Sequence, residues 1–192
     1  MQGAECAWLK SEEVIMRFLT MFSVATLFVI GLLAGCSVFN TAGAASLRLA
    51  ENSDGGGKSC SITLPEPNEA ALPDDPEYPD HKYHKWDLDY MPGCDYDVYS
   101  YFSLDNAPSA AIFEFHSDEG CKREGSTHNE WWYGVQTYKQ PTTTGWISIP
   151  TLNAHKVGDI VKAGVKMVRH HYDFGDIKAE LECVRYYVSK RP

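Results

Sequence analysis

From Ala111 onward, apolar residues recur at every second position, and that spacing restricts what the chain can fold into more than any other feature. In "AIFEFHS", Ala111, Phe113 and Phe115 alternate with Ile112, Glu114 and His116. "WWYGVQTYK" and "GWISIPT" are aromatic and β-branched, and "KAGVKMVRHHY" sets Val165 and Met167 on one face against Lys166 on the other. "DFGD" reads as a turn, after which "IKAELECVRYYV" returns with Ile177, Ala179, Leu181 and Cys183 inward and Lys178, Glu180 and Glu182 outward. Successive side chains of a strand point to opposite faces, so each stretch reads as a half-buried strand or one arm of a hairpin. No convincing amphipathic helix accompanies them. The expected fold is all-β: a single antiparallel β-sandwich or barrel-like domain.

Upstream, "LPEPNEAALPDDPEYPDHKYH" carries five prolines and cannot be a regular helix or central strand. It is expected to form a long, acidic, proline-rich surface loop, the kind of segment that often carries function. Before it, "SVFNTAGAASLRLAENSDGGGKS" is small and polar and ends in Gly55-Gly56-Gly57, as a flexible tether does. The chain therefore divides into a leader over 1–35, a tether over 36–59 and a folded domain over 60–192, long enough for one core.

The leader is the one strongly apolar run, "FLTMFSVATLFVIGLLAGCSVFN". Phe18 to Gly35 has no charge, and Arg17 precedes it, as in an export signal. Glu5, Glu12 and Glu13 suit a signal poorly, whereas reading from Met16 gives a compact one, so residues 1–15 are expected to lie outside the native start. Three fates compete for its end. Leu33-Ala34-Gly35-Cys36 looks like the lipobox of bacterial lipoproteins, which implies cleavage before Cys36 and its acylation, and two or more acyl chains anchor stably. Cleavage at the A-x-A site Ala42 to Ala44 would release a soluble periplasmic protein. Retention as a transmembrane helix would only just be possible for a run of about 18 residues. The completeness of the lipobox favours the first. Ser37 stands where enteric lipoproteins kept in the inner membrane have Asp, so that resemblance implies an outer-membrane anchor facing the periplasm.

The cysteines agree with export. Of the six, Cys6 lies in the leader and Cys36 takes the lipid, which leaves Cys60, Cys94, Cys121 and Cys183. An even number in an oxidising compartment reads as two disulfides, with three possible pairings. The pairing expected is Cys94–Cys121, bracketing a hairpin-sized segment, with Cys60–Cys183 tying the first strand to the last. None has the near-neighbour spacing that zinc on cysteines needs.

Chemistry is sparse. From Cys36 onward 23 acidic residues face 15 basic ones, a net charge of −8, which argues against nucleic acid as a partner. Acid is concentrated between Glu66 and Asp118, where the only bases are Lys82 and Lys85; such a face is usually a solubilising surface, and it also attracts basic partners. The chain lacks G-x-S-x-G, H-E-x-x-H, a P-loop and a dinucleotide fingerprint. His81 and His84 with Asp80 and Asp87 are the best metal-like cluster, but they sit in the proline-rich segment rather than on a helix face, so exposed histidines are the better reading. His170 and His171 point to opposite faces of a strand. Asp87, Asp89, Asp95 and Asp97 lack the calcium-loop pattern. Glu114, Glu130, His116 and His128 are the available acid–base groups, and nothing local singles them out. No metal, no cofactor and no catalysis are expected.

The aromatic residues point instead to binding. Tyr78, Tyr83, Trp86 and Tyr90, with Asp87 and Asp89, decorate the acidic segment, and Trp131, Trp132 and Tyr133 stand in a row. Trp and Tyr are favoured interface anchors, and of two adjacent tryptophans on a strand one should look away from the core. These nine residues are the candidate contacts with a protein partner.

A lipobox, a Gly-rich stretch and a small acidic disulfide-bearing β-domain without catalytic motifs together resemble the periplasmic immunity lipoproteins that protect bacteria from type VI secretion effectors. The segments "CDYDVYSYFSLDNAPSAAIFEFHSDEGC" and "TYKQPTTTGWISI" are similar to that group and cover about a third of the domain. The resemblance implies stoichiometric occlusion of a secreted toxin, a phospholipase being one such target, with the lipid anchor raising local concentration where the toxin acts. Two other readings remain: an envelope structural or glycan-binding lipoprotein, and a cell-envelope hydrolase.

Overall fold

The computed structural model describes residues 43–66, 82–123 and 130–188. The lipobox with Cys36 and most of the proline-rich segment, including Tyr78, fall outside them. Among the described residues no helix is long and apolar enough to cross a membrane.

The fold is all-β, with two antiparallel sheets. The four-stranded sheet has the order β2-β1-β4-β7, from β1 (Ser46–Ala50), β2 (Ser59–Thr63), β4 (Tyr101–Asp105) and β7 (Ile147–Ser148). The six-stranded sheet has the order β3-β10-β5-β6-β9-β8. Its strands are β3 (Tyr83–Asp87), β5 (Ile112–His116), β6 (Glu130–Thr137), β8 (Ile160–Lys162), β9 (Val165–Phe174) and β10 (Cys183–Tyr187). One core lies between the sheets. Leu47, Leu49, Phe102 and Leu104 come from the smaller sheet, and Phe113, Phe115, Trp131, Tyr133, Val135 and Tyr186 from the larger. The rings of Phe102 and Phe115 meet across the gap at 4.5 Å. The period-two alternation of "AIFEFHS" thus becomes a strand whose Phe113 and Phe115 fill a sandwich.

Three expectations need correction. The tether over 36–59 contains β1, whose Leu47 and Leu49 are fully buried and whose register runs Leu47↔Ile62 and Leu49↔Cys60. The glycines form the tip of the β1–β2 hairpin, closed by Glu51 N–H to Lys58 O at 2.9 Å. Gly55 (φ +84°) lies so close to Trp146 that a Cβ would stand 2.5 Å from the ring, so glycine here serves close packing and a left-handed turn.

The second correction concerns 175–188. These residues do not fold back on β9. β10 begins only at Cys183 and inserts between β3 and β5, pairing Val184 with Trp86 on one side and with Phe115 on the other. Residues 175–182 cross the sandwich end irregularly, with Ala179 at φ 59°.

The third is the disulfide pairing, which is Cys60–Cys94 and Cys121–Cys183, each with a Cα separation of 5.1 Å. Cys60 faces the core between the sheets, whereas Cys183 lies with His116 on the outer face of the larger sheet, which prevents the expected bridge. Cys183 lies opposite His116, and the 3-10 turn Glu119–Cys121 after β5, with Gly120 at φ 72°, folds Cys121 back beside it.

Candidate functional site

On the outer face of the larger sheet lies a buried charged layer. Glu114 and His116 are fully buried, and the ring Nε2 of His116 lies 3.3 Å from Glu114 Oε2. Glu114 also takes Arg169 at 3.0 Å, Arg123 at 3.2 Å and the hydroxyl of Tyr187 at 3.0 Å. Arg185 donates to the carbonyl of Cys121 at 2.7 Å and lies over the ring of Tyr83. Trp132 is flanked by the guanidiniums of Arg123 and Arg169 and stacks on His171. Gly134 makes room for Arg169, whose Cβ would lie 2.9 Å from an added methyl.

Burial pushes the Glu114 carboxyl up, but the hydrogen bond from His116 and the charges of Arg123 and Arg169 outweigh it and hold it at about 2. Burial dominates at His116, which is lowered despite its acidic partner and stays neutral. The pair of His116 and Glu114, two of the four acid–base groups the sequence offered, is fully buried. It ties β5, β6, β9 and β10 together.

Two exposed tyrosines and three exposed carboxylates gather elsewhere, on the segment Leu88–Asp97 that carries the chain from β3 towards β4. Its backbone is held at several points. Leu88 is fully buried and donates to Glu182 O at 2.9 Å. Cys94 is bonded to Cys60, the N–H of Asp95 donates to the buried Tyr99 hydroxyl at 3.0 Å, and the N–H of Asp97 donates to Leu181 O at 3.3 Å. Gly93 (φ +82°) makes the sharp turn between these anchors. Between them Tyr90 is 74 % exposed and Tyr96 51 %, beside the exposed carboxylates of Asp89, Asp95 and Asp97. Lys58 lies 3.5 Å from Asp95. Next to the loop is a shallow groove of about 280 Å³ lined by Glu51, Lys58, Asp97, Ser100 and Lys178.

Acidity continues beneath the loop. Burial raises Glu182 to about 7, helped by the nearby charges of Asp97, Asp118 and Glu119 and opposed by a backbone hydrogen bond at Glu119. Burial also raises Asp97. The raised Glu182 favours the fold fully below about pH 4.5, and that contribution fades as pH rises to about 7. Glu182→Gln is therefore expected to raise Tm at pH 8 by roughly 1–3 °C, an amount limited by solvent screening of a partly exposed group. At pH 4 it should leave Tm nearly unchanged, and calorimetry at both pH values checks the difference.

The sequence-selected contacts divide accordingly. Tyr90 and Asp89 are exposed on the loop, and Asp87 accepts from the N–H of Gly120 at 3.1 Å. Tyr83 and Trp86 are half-buried on the edge strand, Trp86 stacked on Tyr186 at 5.9 Å. Trp131 and Tyr133 point into the core, 1 % and 0 % exposed, so their place among the contacts is corrected; Trp132 is the one that faces outward. Tyr96 and Asp95, exposed on the same loop, were not among the candidates, although "CDYD" at a disulfide cysteine could have pointed to them. No group of three or more metal-ligating side chains is found among the described residues. No family model matches the chain, and neither a curated protein nor a solved structure matches it.

Proposed function

We propose that this protein is a membrane-anchored periplasmic immunity protein that neutralises a secreted antibacterial effector, such as a phospholipase, by stoichiometric binding. The observation that carries the reading is the Leu88–Asp97 loop. It presents Tyr90 and Tyr96 to solvent among carboxylates while its backbone is pinned by a disulfide and by Leu88. An anchor that is already ordered loses little entropy on binding, and rigid tyrosines supply contact area cheaply. The carboxylates steer a basic site towards it and fix the register of docking. A lipid at Cys36 would hold the loop where an effector attacking the envelope arrives. The glycan-binding alternative draws less support, because no aromatic ring lines the groove beside the loop.

The test is titration calorimetry of the full chain in mild detergent against the effector of its own strain. One-to-one binding is expected. Tyr90→Ala should weaken it by about thirtyfold, the effect of losing a central anchor worth about 2 kcal/mol. Val157→Ala, an exposed residue away from the loop, should change it less than twofold. Equal affinity for wild type and Tyr90→Ala would remove the loop from the interface.

A further inference from the structure

Four of the seven large apolar residues exposed among the described ones lie on one edge of the larger sheet: Val157 (63 %), Ile160 (57 %), Tyr172 (41 %) and Phe174 (39 %). The geometry of that edge is unusual for a monomer. β9 is ten residues long and pairs with β6 from Val165 to Phe174, with bulges at Val168 and Asp173. β8 is three residues long and meets only the start of β9, through Ile160↔Lys166 and Lys162↔Val165. Met167 extends this pairing, exchanging bonds with Asp159 O at 2.8 Å and with the N–H of Gly158 at 2.9 Å. Beyond Met167, none of the strands formed by the described residues covers that side of β9. An open edge of this length with apolar side chains is a template for another strand.

The register with β6 decides which backbone groups face out. Met167 faces β8, so Lys166, opposite Gln136, exchanges its bonds with β6. Past the bulge between Gly134 and Val135, alternation continues with Arg169 opposite Gly134 and His171 opposite Trp132 as bonded pairs. His170 and Tyr172 therefore turn their N–H and C=O groups to the open side. The His170 ring is held by Asn153 O at 3.0 Å.

From this we infer that the open edge of β9 is the interface of a symmetric dimer, two copies of this chain pairing antiparallel about a two-fold axis at His171. In that register the outward groups of His170 meet those of Tyr172 in the other copy, giving four backbone hydrogen bonds, and His171 faces its own copy as a non-hydrogen-bonded pair. The side chains are self-complementary. His170 faces Tyr172 of the second copy on both sides of the axis, within the regular stretch Arg169–Tyr172 that lies between the bulges at Val168 and Asp173. Moving the axis one residue along sets the bonded groups of one copy against the unbonded ones of the other. Moving it two carries a bulged residue, Val168 or Asp173, into the paired stretch. The two larger sheets then run on as one twelve-stranded sheet, leaving the Leu88–Asp97 loops of both copies outside the new interface.

The register makes a covalent test possible. A non-hydrogen-bonded antiparallel pair has a Cα separation of about 4.5 Å, within the range a disulfide spans. The full chain carrying His171→Cys, exported to the periplasm and run on a non-reducing gel, is expected to give a band at twice the monomer mass that reduction removes. Lys162→Cys, exposed on the part of the edge already covered, should stay monomeric. Tyr172→Pro in the His171→Cys background removes an outward N–H, a change an edge strand tolerates, and should cut the dimer band at least tenfold. Sedimentation of the full chain in mild detergent provides a second measurement that needs no added cysteine. Wild type should sediment as a dimer at tens of micromolar and Phe174→Lys as a monomer, with the near-ultraviolet circular dichroism of both unchanged. A monomeric wild type, an absent His171→Cys band, an equal band from Lys162→Cys, or a dimer indifferent to Tyr172→Pro and Phe174→Lys would each overturn the inference.

Discussion

Glu114→Ala is expected to destabilise the domain by about 3–5 kcal/mol at pH 7, the usual cost of breaking a buried ion pair by removing one partner. Arg123, Arg169 and the hydroxyl of Tyr187 all meet the carboxylate of Glu114, and its burial is complete. Removing it leaves cations packed against Trp132 and β5 with their central counter-charge gone. Urea unfolding followed by tryptophan fluorescence checks the magnitude, and a loss below about 1 kcal/mol would show the layer to be replaceable. The pH dependence follows from the same group. A carboxyl held at about 2 in the fold contributes stability that is whole above about pH 4.5 and is lost as pH falls from there towards 2. His116, kept neutral by burial, adds its own loss on the acid side, because below about pH 6.5 the unfolded chain takes up a proton that the folded chain refuses. Acid unfolding of wild type should therefore be steep below pH 4.5. In Glu114→Ala that part should be shallower, while the loss that begins near pH 6.5 remains.

The double substitution Cys121→Ser with Cys183→Ser is expected to cost about 4 kcal/mol, the chain-entropy value for a closed loop of this length. The bridge spans 62 residues and ties the turn after β5 to β10, the strand that links β3 to the rest of the larger sheet. It also positions the Cys121 carbonyl that Arg185 uses. Removing Cys60–Cys94, which spans 34 residues, should cost slightly less in stability by the same relation. It should cost more in binding, since that bridge pins the loop carrying Tyr90. Calorimetric unfolding of the two double variants, set beside their affinities for the effector, separates the bridges. Equal effects on affinity would mean that the loop needs no staple.

The all-β character was legible because period-two alternation is a local signal. Phe113 and Phe115 announce a core face by themselves. β1 was obscured by its surroundings: five residues, "SLRLA", between a small-residue stretch and three glycines look like a linker until Trp146, 91 residues beyond Gly55, is seen packing on that glycine. The hairpin expected after "DFGD" failed for a related reason. Alternation says that 177–187 has two faces, but nothing local says which strand receives it, and Val184 of β10 finds its neighbours 98 and 69 residues upstream, at Trp86 and Phe115. Disulfide pairing inherits that ignorance, because it depends on which strands are neighbours. On the candidate site, Tyr90 and Asp89 stood out as aromatic and acidic residues in an irregular segment. The burial of Trp131 and Tyr133 follows from the phase of β6, which the sequence leaves open when Trp131, Trp132 and Tyr133 stand together. The Glu114 layer was missed because an alternating Glu and His normally mark a solvated face. Here the arginines of β9, β10 and the β5–β6 connection fold over them.

The most direct measurement is a competition between kin. A strain lacking this gene, and unable to receive it from neighbours, is grown in contact with its parent, whose secretion system is active. The account predicts that the deletant is killed, that silencing the parent's secretion spares it, and that wild-type protein restores survival where Tyr90→Ala with Asp89→Asn restores much less. Survival of the deletant equal to that of its parent, with secretion active, would contradict the immunity reading outright.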